Sequence, residues 1–290
     1  MFGLTWGCHF RHLLLVVKTF SVGLSLAALS LSSANGIVIL VSDLEASSAI
    51  DDFLNNNFNN VTEIRNGDFA SFNAAATQDA LNGTGAFAGG GAADLVIIGR
   101  NLSSGGYSGG NADGYNTLNI PVVSFTSYIS RNVGNRLGWH TGSASNNLST
   151  TGAETVITTA GTSLLGLTGP ADWHESLGET FNGLGNSLAV GGGNVLATVG
   201  GQLLAAYWET GDAPGAPNEA GVANFPGPRL LFNLDDDGPE RSTFNSLTAE
   251  GEAALITALN VTTPLTAVPE PSSALLGLLA LPLAFRRRRA

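Results

Sequence analysis

Up to about residue 126 the chain alternates unbroken apolar runs with stretches whose apolar residues recur every three or four positions. The run GIVILVSD (36–43) has no polar residue until its end, the pattern of a strand buried on both faces of a parallel sheet. In ASSAIDDFLNNNF (46–58), Ile50, Phe53, Leu54 and Phe58 fall on one helical face. VTEIRNG (61–67) alternates and predicts a more exposed strand, and FNAAATQDALN (72–82) predicts a helix. ADLVIIG (93–99) and IPVVSFT (120–126) read as two further buried strands, the second opening on Pro121, where a missing N–H matters least. The order β-α-β-α-β implies right-handed crossovers and an α/β three-layer sandwich with a mainly parallel central sheet.

The second half is less regular. ETVITT (154–159), NVLATV (194–199) and QLLAAYWET (202–210) predict short strands, the last two joined as a hairpin at Gly200-Gly201. RLLFNL (229–234) is another apolar strand, and a helix is expected from about Leu247 to Asn260 with Thr248 as its N-cap. No charged or Pro-rich linker divides 35–261, so a single α/β domain is expected there.

Both ends break this pattern. Residues 1–34 read as a signal peptide: Arg11 and Lys18, then an apolar stretch over 20–31, then small residues to Ala34. An uncleaved N-terminal anchor is the alternative. Residues 262–271 form a linker containing Val268, Pro269, Glu270 and Pro271. Residues 272–285 are uncharged and rich in Leu and Ala, and Arg286, Arg287, Arg288 and Arg289 follow directly. A helix of that length reaches roughly 21 Å, somewhat short of a bilayer core. The arginines belong on the cytoplasmic side, since moving them through hydrocarbon is prohibitive.

This tail resembles the PEP-CTERM sorting signal in the order and spacing of its three parts: the Pro-Glu-Pro motif, the hydrophobic transmembrane helix and the basic cluster at 272–290. The resemblance implies recognition by an exosortase, a membrane transpeptidase, after export past a signal peptidase. It also implies a secreted product, anchored transiently in the inner membrane and then found at the cell surface of an exopolysaccharide-producing bacterium. Exopolysaccharide is the expected partner outside the cell.

Composition narrows the chemistry. The one cysteine, Cys8, lies in the signal peptide, which leaves the mature chain no thiol nucleophile, thiolate ligand or disulfide. Between Asn35 and Val268 there are six Arg, no Lys and 22 acidic residues, a balance that excludes nucleic acid as a partner.

The early strand-helix order, with DLVIIG followed by IPVVSFT and the late RLLFNLDDD…LTAEGEAALITALN, is similar to class I glutamine amidotransferase-like domains of the ThuA-like branch. That resemblance implies a flavodoxin-like fold. It also implies a catalytic cysteine at a sharp strand-to-helix turn, where this chain carries Thr126. Amidotransferase chemistry is therefore expected to be absent, and Thr126 is not expected to serve as a nucleophile, because no base is recognisable beside it.

Candidate chemistry beyond that is sparse. His140 and His174 are the two histidines of the exported part, each following a Trp. His174, with Asp172 and Glu175 close by, is the stronger catalytic candidate because carboxylates orient an imidazole and raise its basicity. Thr126 completes the candidate set. Asn233, Asp235 and Asp237 partly match a calcium loop, but Phe244 stands where the bidentate Glu belongs, and a solvated acidic turn (Asp235 to Asp237) is the simpler reading. The glycine-rich stretch SSGGYSGGNADGY (103–115) lacks a phosphate-loop ending and reads as a flexible loop. Tyr107, Tyr115, Trp139, Trp173 and Trp208 offer a sugar-stacking surface or, alternatively, core anchors. No cofactor is expected. Two functions stand: a non-enzymatic surface or matrix protein, and an exported carbohydrate-active hydrolase working through Asp172, His174 and Asp235 to Asp237.

Overall fold

The structure is a computed structural model. It describes residues 39–44, 49–58, 61–65, 72–88, 91–98, 104–145, 148–149, 155–167, 180–181, 184–234 and 247–262. In chain order its elements are β1 (Ile39–Leu44), α1 (Ala49–Asn57), β2 (Val61–Arg65), α2 (Ala75–Asn82), β3 (Leu95–Ile98), α3 (Gly110–Asn116), β4 (Val122–Ser124) and α4 (Ser127–Ser130). Then come β5 (Ala144–Ser145), β6 (Leu148–Ser149), β7 (Thr155–Ile157), α5 (Thr159–Leu165), β8 (Thr180–Phe181) and β9 (Leu184–Gly185). The chain continues with β10 (Asn194–Val199), β11 (Gln202–Trp208), α6 (Pro217–Ala220), β12 (Arg229–Phe232) and α7 (Ala249–Thr262). The stretches expected as a signal peptide (1–34), as most of the linker (263–271) and as a sorting tail (272–290) lie outside the described residues, whereas Thr262, expected to open the linker, is the buried last residue of α7, its hydroxyl donating to the Ala258 carbonyl at 2.9 Å. Among the described residues no helix is long and apolar enough to cross a membrane.

The protein is mixed α/β. Its main sheet runs β2-β1-β3-β4-β12-β11-β10-β7. The first five strands in that order are parallel to one another. From β12 onward the pairings are antiparallel, so the sheet is parallel in one half only. Between β10 and β11 the reason is local: Gly200 and Gly201, both at positive φ, close a tight hairpin, and a hairpin can join only antiparallel strands. β9 adds to β11 and β5 to β9 at one end, while β6 and β8 form a separate pair.

Each face of the sheet carries its own core. In β3, Leu95 and Ile97 face a cluster with α1, α5 and α7, while Val96 and Ile98 face one with α2, α3 and α4. This is why the run is apolar throughout: with helices on both sides, alternation has no solvent face to serve. Each of these aliphatic side chains contributes about 1.5–3 kcal/mol on burial. Thr248 does cap α7, its hydroxyl accepting from the Gly251 N–H at 3.0 Å.

The glycine-rich stretch expected as a loop is instead ordered into a 3₁₀ turn (Ser104–Tyr107) and α3. Its glycines oppose helix formation, but Tyr107, Ala112 and Tyr115 are buried in the second core, and that burial outweighs propensity. Arg229, at the start of β12, then fixes the end of α3. Its guanidinium is wholly buried and donates to the carbonyls of Tyr115, Asn116 and Leu118 through Nη2, and of Ile120, Gly227 and Pro228 through Nη1. A helix C-terminus leaves carbonyls unpaired, and a cation is the favourable partner for them.

Candidate functional site

The turn after β4 holds Thr126, one of the candidate residues of the sequence. Thr126 is fully buried with an extended backbone (φ −148, ψ 139). Its hydroxyl accepts a hydrogen bond from the Tyr128 N–H at 3.2 Å, making it the N-cap of α4. The carbonyl of the same residue accepts from the hydroxyls of Ser124 and Ser130, each at 3.2 Å. The Thr126 hydroxyl and carbonyl are therefore both held by neighbours in its own turn.

The next residue, Ser127, makes the longer reach. Its hydroxyl donates to Asn233 Oδ1 at 2.9 Å, just past the end of β12. Asn233 Nδ2 in turn donates to the Leu203 carbonyl at 2.6 Å, and the Asn233 N–H to the Leu204 carbonyl at 2.8 Å. These bonds cross the seam where the sheet changes from parallel to antiparallel pairing. They also occupy the amide that a calcium site would need: Asn233 is fully buried and its oxygen accepts from Ser127. Asp235, Asp236 and Asp237 lie outside the described residues.

His140 lies across from Ser127. A Cβ on Gly185 would stand 3.0 Å from Ser127 Oγ, 3.1 Å from Leu203 Cβ and 3.2 Å from His140 Cε1. The bare backbone of β9 thus packs between hydroxyl and imidazole. His140 Nδ1 donates to the Thr141 carbonyl at 2.9 Å, because a carbonyl can only accept, and this fixes Nε2 as the atom bearing the lone pair. Nε2 is buried and has no hydrogen-bond partner among the described residues. Burial lowers the His140 pKa to about 4; the Thr141 bond opposes the shift and the charge of Arg131 adds to it. The ring is neutral at physiological pH. The Ser127 hydroxyl is directed to Asn233, and both it and the ring are closed off from solvent. The arrangement is a polar knot inside the fold.

Four of the five aromatic candidates are core residues. Tyr107, Tyr115, Trp139 and Trp208 are all buried, and Trp139 packs against Trp208 and Phe225 with ring centroids 5.8 and 6.2 Å apart. Their polar atoms are satisfied inside: Trp139 Nε1 donates to Asn116 Oδ1 at 2.7 Å and Trp208 Nε1 to the Val190 carbonyl at 2.7 Å. Four of the five residues considered for sugar stacking therefore present no face to a ligand, and the fifth, Trp173, lies outside the described residues together with Asp172, His174 and Glu175. Among the described residues no group of three His, Cys, Asp or Glu side chains is placed to hold a metal ion. Sequence reasoning singled out Thr126, His140 and Asn233 but missed Ser127 and Gly185, which connect them. The second hydroxyl of the Thr126-Ser127 pair was the available signal.

No family model matches the chain, and no curated protein matches it. Among solved structures it is similar to Cytoplasmic Protein STM3548 from Salmonella typhimurium, with 8% identity and a TM-score of 0.46 over 78% of this chain and 99% of that one.

Proposed function

We propose that the chain is an exported, non-enzymatic bacterial surface or matrix protein, sorted by an exosortase through its C-terminal tail and associated with exopolysaccharide. Its domain is a flavodoxin-like, glutamine amidotransferase-like sandwich that has kept the scaffold and lost the chemistry. The observation carrying this reading is at the turn after β4: Thr126 is a buried helix cap whose hydroxyl is already bonded to the Tyr128 N–H. A nucleophile needs an exposed atom and a base within reach, whereas this hydroxyl is buried and, among the described residues, is bonded to a backbone N–H and not to a base. The acidic, lysine-free surface supports a secreted polymer-associated protein that avoids nucleic acid. The tail supports the destination, with Pro269 and Pro271 keeping an extended segment at the membrane surface for the transpeptidase.

The test replaces Arg286, Arg287, Arg288 and Arg289 by Ser in the native host and follows the protein by fractionation. The expected result is a folded product that is no longer processed or released. Processing at the normal rate would refute the sorting assignment. In parallel, the purified protein is assayed for ammonia release from glutamine and for reducing-sugar release from the host exopolysaccharide. Neither product is expected; sugar release would establish the hydrolase in place of the matrix protein.

A further inference from the structure

His140 sits where several segments of chain are stitched together. Trp139 and His140 both donate their N–H groups to the Ser130 carbonyl at the end of α4, at 2.8 and 3.4 Å. Thr141 N–H donates to the Ala189 carbonyl at 3.0 Å, tying in the stretch after β9. Gly215 N–H donates to the Trp139 carbonyl at 2.9 Å and Ala216 N–H to the Gly138 carbonyl at 3.0 Å, tying in the stretch before α6. A Cβ on Gly215 would stand 2.8 Å from His140 Cα, so this junction is packed backbone against backbone.

The surroundings of the ring suit only its neutral form. Among the described residues, a Cβ on Gly185 of β9 would lie 3.2 Å from His140 Cε1 and also touch Ser127 of α4 and Leu203 of β11, while Gly215 packs on the His140 Cα, and none of these four residues ionises in acid. Arg131, joined to His140 by a parallel β-bridge, is the charge that acts on it, and it has the same sign as an imidazolium. A proton on Nε2 would create a buried donor without an acceptor among the described residues, next to a like charge.

We propose that His140 is an acid-operated latch: its protonation frees residues 139–141 from the 185–189 and 213–216 segments while the central sheet stays folded. Opening these seams admits water to Nε2 and separates the imidazolium from Arg131, at the cost of a few exposed backbone bonds. Trp139 and Val190 carry the movement into the edge of the second core, while the rest of that core and the whole of the first lie under β3, β4 and β12. The latch is independent of the sorting tail and of the absence of amidotransferase chemistry.

Hydrogen–deuterium exchange on the full chain in detergent, corrected for intrinsic exchange rates, tests it. Between about pH 7 and about pH 4, peptides covering 137–142, 186–190 and 213–217 should lose protection on the order of a hundredfold, reversibly, while β3 and β12 keep theirs. His140→Asn and His140→Leu, which cannot take up the proton, should hold their protection across the same range. Unchanged exchange in the wild type, a loss that spreads equally to β3 and β12, or the same acid response in either variant would overturn the latch. If neither variant folds, the contrast between the junction and the central strands in the wild type decides the question alone.

Discussion

Ser127 and Asn233 are 106 positions apart in sequence and share a buried hydrogen bond of 2.9 Å. That bond joins the start of α4 to the end of β12 and, through Asn233 Nδ2, to the Leu203 carbonyl of β11. Replacing Asn233 with Leu removes both of its side-chain bonds and strands the Ser127 hydroxyl and the Leu203 carbonyl in a dry interior. The expected loss is about 3 kcal/mol, against about 1 kcal/mol for Ser127→Ala, which leaves only one group unpaired. Urea titration of the two single variants and the double should show a total well short of additive, because the pair shares one bond.

Arg229 is the largest buried charge among the described residues, and burial lowers its pKa to about 9, so it remains a cation at neutral pH. Arg229→Met removes the guanidinium from six carbonyls, of which those of Tyr115 and Pro228 keep a backbone N–H, and should cost about 3 kcal/mol or more. For a domain of this size that corresponds to about 6–12 °C in melting temperature. Arg229→Lys should recover little, since an ammonium cannot span carbonyls on both sides of the planar fork. Thermal denaturation followed by circular dichroism measures both.

Gly161 lets α5 lie directly on β10. A Cβ there would come within 2.1 Å of the Leu196 carbonyl oxygen and 2.9 Å of Ile157 Cγ2. Alanine gains about 1 kcal/mol of helix propensity, but it forces α5 off the sheet, and the overlap with backbone wins. Gly161→Ala is expected to destabilise by about 2 kcal/mol. Gly110, in the first turn of α3, meets nothing within 4 Å, so Gly110→Ala should be neutral or slightly stabilising. Chemical denaturation of the pair separates close packing from general intolerance of alanine.

Stability should fall in acid through His140 in a definite window. The pKa is lower in the folded chain, about 4, than the 6.5 of a free imidazole, so the unfolded state binds the proton first. The contribution is complete above about pH 6.5 and is lost progressively as the pH falls toward about 4, amounting to about 3 kcal/mol. Carboxylates add their own acid dependence, so the measurement is a difference: urea midpoints near pH 7 and near pH 4, wild type against His140→Asn. Wild type should lose more stability than the variant over that range.

The first half of the fold was legible in the sequence because each β-α-β segment is built from local signals. An apolar run such as LVII has no solvent face to display, and the spacing of Ile50, Phe53 and Leu54 marks one side of a helix before any partner is known. Gly200-Gly201 announced its hairpin for the same reason, since positive φ is a property of the residue and its neighbours. What the sequence could not contain is the pairing of β12 with β4 and β11, which inserts a late strand at the junction of the parallel and antiparallel halves. Periodicity says which face is apolar; it does not say against what that face is buried. The order in 104–116 was likewise set by tertiary burial of Tyr107, Ala112 and Tyr115, against the local preference of its glycines. The polar knot depends on the same long-range placement. Thr126 caps its helix by local chemistry, whereas Ser127, Gly185, His140 and Asn233 meet only because four separate stretches of chain converge at the ends of β4 and β12.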